Sequence, residues 1–85
     1  MFNYNDGVIT ITLPEGKTQA ELVNDTKAQI RTLIESGVLY GADVKINGRV
    51  TTAMAITLGH ELAHVCKSVS MFDPKENSYV LCIRH

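Results

Sequence analysis

The stretch from Thr52 to Pro74 constrains the fold of this chain more than any other. Its first part has the apolar spacing of an amphipathic helix, and its second part, about Ser68 to Phe72, is a short buried strand. A helix that leads directly into a strand is half of a βαβ unit, so the stretch predicts an α/β domain. The helix carries His60 and His64 one turn apart, and the strand ends at Asp73.

Alternating apolar residues predict the remaining strands. In all, four strands are predicted, over Gly7–Leu13, Ala42–Asn47, Ser68–Phe72 and Tyr79–Ile83. A capping box at Thr18 and Glu21 starts a first helix, which ends near Gly37, and the second helix runs to about Cys66. The order is β-α-β-α-β-β, with strands one to three parallel through right-handed crossovers and an antiparallel fourth strand.

This order predicts a small Rossmann-like α/β domain over residues 1–85. Parallel strands buried on both faces usually read as continuous apolar runs. Here the first two strands alternate with polar residues, so one face of the sheet is only partly covered or is covered by another subunit. We therefore expect an oligomer.

The composition excludes some partners and locations. A net charge of −1 over 85 residues argues against a module that binds duplex DNA, which needs a basic patch. No apolar run approaches the length of a membrane span, and the polar opening from Met1 to Asp6 is not a signal peptide, so we expect a cytoplasmic protein without a membrane partner. Cys66 and Cys82 lie among apolar residues and are expected to be buried free thiols.

His60-Glu61-Leu62-Ala63-His64 has the H-E-x-x-H pattern of zinc peptidases, with two imidazoles on one helix face and Glu61 as a base. A catalytic zinc also needs a third protein ligand, and none follows at the expected place on a helix. Zinc peptidase activity is therefore a minor alternative. The simplest interpretation of the histidines is that they are polar residues of a packing helix.

A different site is predicted at the carboxyl ends of the parallel strands, where α/β sheets bind ligands. Gly48 and Arg49 follow the second strand and lead into the second helix, with Thr51 or Thr52 as its N-cap. The free N–H groups of the helix start attract a phosphate, which Arg49 can clamp with two hydrogen bonds. Asp73 ends the third strand at the same edge, although an Asp before proline is also typical of a turn.

His64 does not belong to that edge. The second helix runs antiparallel to the strands, so its last turn lies near the start of the third strand, roughly 20 Å from Asp73. If both residues act on one ligand, they must come from different subunits.

The segment from Val44 to His85 resembles the third family of ring nucleases of type III CRISPR systems. The resemblance rests on an ordered set of motifs, namely Asn47-Gly48-Arg49, His60 with His64, Phe72-Asp73-Pro74 and Tyr79-Val80-Leu81. It implies a variant of the CRISPR-associated Rossmann fold and homodimers that form tetramers or filaments on ligand binding. It also implies that cyclic tetra-adenylate, sandwiched between dimers, is cleaved with the help of manganese.

The resemblance also implies roles for individual residues. His64 and Asp73 would be catalytic or would hold the metal, with His60 as an additional candidate ligand. Gly48, Arg49 and Lys75 would bind the phosphates of the ring, although Lys75 stands where relatives often have arginine. Cleavage would proceed by attack of a ribose 2′-OH on the adjacent phosphate. The alternative is a module that binds the same ring without cutting it.

Overall fold

The computed structural model describes residues 1–85 as five strands and two helices. Their bounds are β1 Phe2–Asn5, β2 Val8–Ile11, α1 Gln19–Glu35, β3 Asp43–Gly48, α2 Thr52–Ala63, β4 Ser68–Asp73 and β5 Ser78–Arg84. The strands form one sheet in their chain order. The central strands β2, β3 and β4 are parallel, and β1 and β5 are antiparallel edges. The α/β class, the parallel strands and the antiparallel last strand are thus confirmed.

The predicted four-strand order is wrong by one strand. Phe2 and Tyr4 alternate with polar residues in β1, which pairs with β2 through a two-residue turn. Asp6 and Gly7 form that turn with φ of 50° and 82°, the conformation that an Asp-Gly hairpin favours. The first predicted strand consequently began too early, because Gly7 belongs to the turn, and it ended two residues too late.

Both helices lie on one face of the sheet. Crossovers between parallel strands are right-handed almost without exception, and β2-α1-β3 and β3-α2-β4 move across the sheet in the same direction, which places their helices on the same side. The two helices accordingly pack against each other. There the helices cover a core of twelve buried apolar residues. Thr18 forms the predicted capping box of α1, and α2 ends at Ala63, earlier than predicted, with His64 as its C-cap.

The opposite face of the sheet has no helix over it, and we call it the open face. On this face the rings of Phe72 and Tyr79 meet edge to face with centroids 5.3 Å apart. The Nζ atom of Lys45 lies 5.2 Å from the centroid of the Tyr79 ring. The alternating strands predicted a sheet face that is only partly covered, and the open face is such a face, although it carries these aromatic rings.

Cys66 is buried with 4% of its surface exposed, as predicted, but Cys82 is exposed on the edge strand, so that part of the expectation was wrong. Neither helix combines the length and the apolar character that crossing a membrane requires.

Candidate functional site

Three strands end at one level and form what we call the carboxyl rim, marked by Ile11, Gly48 and Asp73. Ile11 at the end of β2 pairs with Gly48 at the end of β3. Ile46 pairs with Met71, and two residues further along each strand come Gly48 and Asp73. The register therefore brings the predicted phosphate-binding loop and the predicted catalytic carboxylate to neighbouring strand ends.

Gly48 has a structural role that is independent of any ligand. Its φ is 109°, and a Cβ at this position would lie 2.1 Å from the carbonyl oxygen of Ile11. The close approach that this glycine permits is thus to the neighbouring strand β2. The side chain of Asn47 adds to the local geometry, because its Oδ1 accepts a hydrogen bond from the Gly48 N–H at 2.8 Å.

Arg49 lies beside a cleft of about 560 Å³ that residues 11–16 line together with Gly48 and Arg49. The Arg49 side chain is exposed and makes no ion pair within the chain. Glu15 also lines the cleft, although no sequence motif singled it out. The parallel pairing of β2 and β3 could have indicated it, since the loops after parallel strands meet at one edge.

The start of α2 offers free donors at the same rim. Thr51 is the N-cap, and its Oγ1 accepts a hydrogen bond from the Met54 N–H at 3.2 Å. The N–H groups of Thr52 and Ala53 have no hydrogen-bond partner in the chain. The first turn of α2 contains no acidic residue that would offset the positive end of the helix dipole. This helix start is therefore suited to an anion.

Asp73 is the last residue of β4, and Lys75 lies in the turn that leads to β5. The Oδ1 atom of Asp73 accepts a hydrogen bond from the Lys75 N–H at 3.1 Å, so this carboxylate shapes the turn, as an Asp before proline commonly does. The Lys75 side chain is exposed and makes no ion pair. One carboxylate oxygen of Asp73 remains available for a ligand.

His64 lies at the other end of the sheet, at what we call the amino rim, marked by Asp43, Ser68 and the end of α2. The Gly41 N–H donates to the carbonyl of Val65 at 2.8 Å, which ties the residue after His64 to the start of β3. The rings of His60 and His64 meet edge to face with centroids 4.9 Å apart, and both are exposed. The predicted separation of His64 from Asp73 is therefore found, with all of β4 between them.

A single chain does not assemble the predicted metal site. No three side chains among the His, Cys, Asp and Glu residues lie close enough to share a metal ion. His60 and His64 are neighbours, but Asp73 is at the opposite rim. A manganese ion held by His64 and Asp73 does not fit within one subunit.

The H-E-x-x-H pattern has a structural explanation. Glu61, its central carboxylate, accepts a hydrogen bond from Nη2 of Arg31 at 3.0 Å and thereby joins α2 to α1. A peptidase base has to face the metal between the two histidines, whereas this carboxylate is held by the neighbouring helix.

A separate apolar groove of about 430 Å³ lies between β1 and α1 and includes Phe2, Tyr4 and Leu33. None of the predicted site residues lines it. Comparison with known proteins identifies no relative: no protein-family model, no curated protein and no solved structure matches the chain.

Proposed function

We propose that this chain is a ring nuclease that cleaves cyclic tetra-adenylate to linear oligoadenylates in the cytoplasm, and so ends the signalling of type III CRISPR systems. One observation carries the proposal. The unpaired cation Arg49, the free N–H groups of α2 and the carboxylate Asp73 all lie at the carboxyl rim, the edge at which a Rossmann-like domain binds a nucleotide. The motifs that resemble the ring nuclease family contribute the same residues.

The carboxyl rim binds the phosphates in this proposal. Arg49 donates a fork of N–H groups to a phosphate, and the Thr52 and Ala53 N–H groups donate from the helix start. Lys75 adds a point charge from the neighbouring turn. Glu15 opposes this attraction, so the cleft favours a ligand whose sugar hydroxyls can donate to that carboxylate.

Cleavage begins with a ribose 2′-OH of the ring. Its oxygen attacks the adjacent phosphorus, the bond from phosphorus to the 5′ oxygen breaks, and a 2′,3′-cyclic phosphate forms. His64 of a second subunit takes the hydroxyl proton or delivers one to the leaving 5′ oxygen. Arg49 and the α2 N–H groups stabilise the charge that develops on the phosphate oxygens.

Assembly is required because His64 and Asp73 lie at opposite rims of one subunit. We propose a homodimer, with a tetramer or filament forming on the ligand, in which Asp73 orients a group of the facing subunit. Manganese does not fit a single chain, and none of the steps above depends on it. A requirement for Mn²⁺ remains a prediction for the assembled site.

Labelled cyclic tetra-adenylate, incubated with the protein with and without Mn²⁺, tests the proposal. Linear product that is lost in His64→Ala supports it. Arg49→Lys should weaken ring binding by about tenfold, because the charge remains while the paired hydrogen bonds are lost. Lys27→Ala removes a cation from the exposed side of α1 and is the control that leaves binding unchanged. Absence of product at enzyme concentrations above that of the ring overturns the nuclease proposal.

A mixing experiment tests the shared site. His64→Ala and Asp73→Ala proteins, each inactive alone, should recover activity when they are mixed and allowed to exchange subunits. No recovery, under conditions in which exchange is demonstrated, overturns the assignment of the two residues to one interfacial site.

A module that binds the ring without cutting it is the second candidate. The hydrogen bond from the Lys75 N–H to Asp73 favours it, because it gives that carboxylate a structural role without catalysis. Tight binding with no turnover at any metal concentration selects this alternative.

A further inference from the structure

The edge strand β5 has the features of a surface that pairs with a second copy of the same chain. Its outer edge has no neighbouring strand, so a row of backbone N–H and C=O groups is left free. Val80 is 41% exposed and Leu81 is 50% exposed, and consecutive strand residues point to opposite faces. Apolar surface therefore wraps around this edge on both sides.

The apolar surface continues onto α2. A Cβ built on Gly59 would lie 3.8 Å from Cδ1 of Ile83, which shows that α2 approaches β5 closely at this point. Ile56 is one helical turn before Gly59 and is 70% exposed, the most exposed large apolar residue of the chain. Apart from α2, no helix lies over this side of β5.

A β-bulge in β5 selects one register for such pairing. Ser70 pairs with Leu81, whereas the preceding residue Val69 pairs with Ile83, so Cys82 is an extra residue in β5. As a consequence, Leu81 and Ile83 lie on opposite faces of the sheet, although they are two residues apart. A second strand that pairs with β5 can keep its side chains on the same sheet faces as those of β5 only in a register that takes account of the bulge at Cys82.

We propose that two copies of the chain pair antiparallel along β5, with the two-fold axis between Leu81 and Cys82. Val80 then lies opposite Ile83 of the second copy on the helix-covered face, and Tyr79 lies opposite Arg84 of the second copy on the open face. Shifting the register by one residue in either direction places residues of opposite faces against each other and loses these contacts.

Charges at the ends of β5 agree with the antiparallel direction. Glu76 lies in the turn before β5 and Arg84 at its end, and neither makes an ion pair within the chain. Antiparallel pairing brings Arg84 of one copy to the turn of the other that carries Glu76, which attracts it, and Lys75, which repels it. Parallel pairing would place like charges side by side. Arg84 also comes beside the ring of Tyr79, which suits a cation–π contact.

This pairing deepens the proposed function, on which the following step rests. A two-fold axis perpendicular to the sheet keeps the helices of both copies on one face and reverses the strand direction. The amino rim of one copy is then continuous with the carboxyl rim of the other. His64 of one copy and Asp73 of the other consequently lie along the same edge, with the two β4 strands about 14 Å apart. At that separation the two residues reach different nucleotides of one ring and do not touch the same phosphate. That separation suits one ligand of several nucleotides.

Cys82 provides the test, because the pairing places the Cys82 thiols of two copies close to each other beside the axis. A short bismaleimide reagent should link wild-type chains through Cys82 into a species of twice 9.4 kDa, and Cys82→Ser should abolish the link. Leu81→Glu should raise the dimer dissociation constant, measured by sedimentation, by about tenfold or more, since two like charges would face each other at the axis. Tyr40→Glu changes a large residue outside β5 that is 65% exposed, against 50% for Leu81, and should leave both measurements unchanged.

A chain that sediments as a monomer, or a dimer that Cys82 does not cross-link, overturns the pairing. These readouts are independent of ring cleavage. If the protein cleaves the ring but does not cross-link through Cys82, the β5 interface is wrong and the proposed function stands. If it cross-links but does not cleave the ring, the interface is supported and the nuclease proposal is wrong. Circular dichroism of Leu81→Glu verifies that the variant is folded.

Discussion

Arg31 donates two hydrogen bonds to one oxygen of Glu61, from Nη2 at 3.0 Å and from Nε at 3.3 Å. The contact joins α1 to α2 across thirty residues of sequence. The Glu61 side chain is 14% exposed and the Arg31 side chain 61% exposed, so water screens the pair on one side only. It explains why a carboxylate stands between two histidines in this helix without any need for a metal.

The first prediction concerns this pair. We expect a double-mutant cycle of Arg31→Ala and Glu61→Gln to give a coupling free energy of about 0.5 kcal/mol in urea unfolding, the usual size for a partly exposed ion pair. Glu61→Gln should also retain ring cleavage. Loss of that activity, with stability unchanged, would instead assign Glu61 to the catalytic site.

The second prediction concerns Gly48. We expect Gly48→Ala to cost at least about 3 kcal/mol of unfolding free energy, because the positive φ and the clash with the Ile11 backbone add together. Gly16→Ala is the matched control: its φ is 75° and its Cβ would have no atom within 4 Å. It should cost only about 1–2 kcal/mol. Equal losses in urea unfolding would contradict the close contact between β2 and β3.

The predictable part of the fold came from periodicity and caps. The alternating residues of β3 and the capping box at Thr18 fix local structure through neighbours in sequence, so they can be recognised without coordinates. The strand β1 was missed even though Asp6-Gly7 between alternating residues is a strong hairpin signal. Its two apolar residues, Phe2 and Tyr4, are too few to stand out from a polar opening.

Part of the candidate site could likewise be predicted from the sequence, and part could not. Arg49 and Asp73 could be placed at one rim from the direction of the strands, since parallel strands end together. Two features of the site depend on packing between segments that are distant in sequence, which periodicity does not encode. They are the position of Glu15 at the cleft and the hydrogen bonds from Arg31 to Glu61. The exposure of Cys82 was also missed, because an apolar strand at the edge of a sheet has the same pattern as one in its centre.

The third prediction concerns the two cysteines. Burial raises the pKa of the Cys66 thiol, so less of the reactive thiolate forms at neutral pH, and the side chain is only 4% exposed. We expect iodoacetamide to label Cys82 at least about tenfold faster than Cys66 in the folded protein. The Cys66→Ala and Cys82→Ser variants separate the two rates, and both thiols should react in denaturant. Similar rates in the folded state would show that the core around Cys66 opens readily.

The last prediction concerns the capping box and pH. The Thr18 N–H donates to Oε1 of Glu21 at 2.9 Å, and the Glu21 N–H donates to Oγ1 of Thr18 at 3.2 Å. The hydrogen bond from the Thr18 backbone is the main cause that lowers the pKa of Glu21 below its usual value, and hydrogen bonding with the Thr18 side chain is the second. A carboxyl group whose pKa is lower in the folded state stabilises the fold above its unfolded pKa.

The stability that the Glu21 carboxylate contributes is present above a pH of about 4.3, the pKa of Glu in the unfolded chain, and is lost as the pH falls through the lower pKa of the folded state. We therefore expect Glu21→Ala to lower the melting temperature at pH 7 and to differ less from the wild type as the pH falls below about 4. Glu21→Gln keeps the hydrogen-bond acceptor but cannot titrate, so it should lose less at pH 7 and should also converge with the wild type in acid. A difference between wild type and Glu21→Ala that stays constant from pH 7 into acid would show that the charge on Glu21 does not stabilise the start of α1.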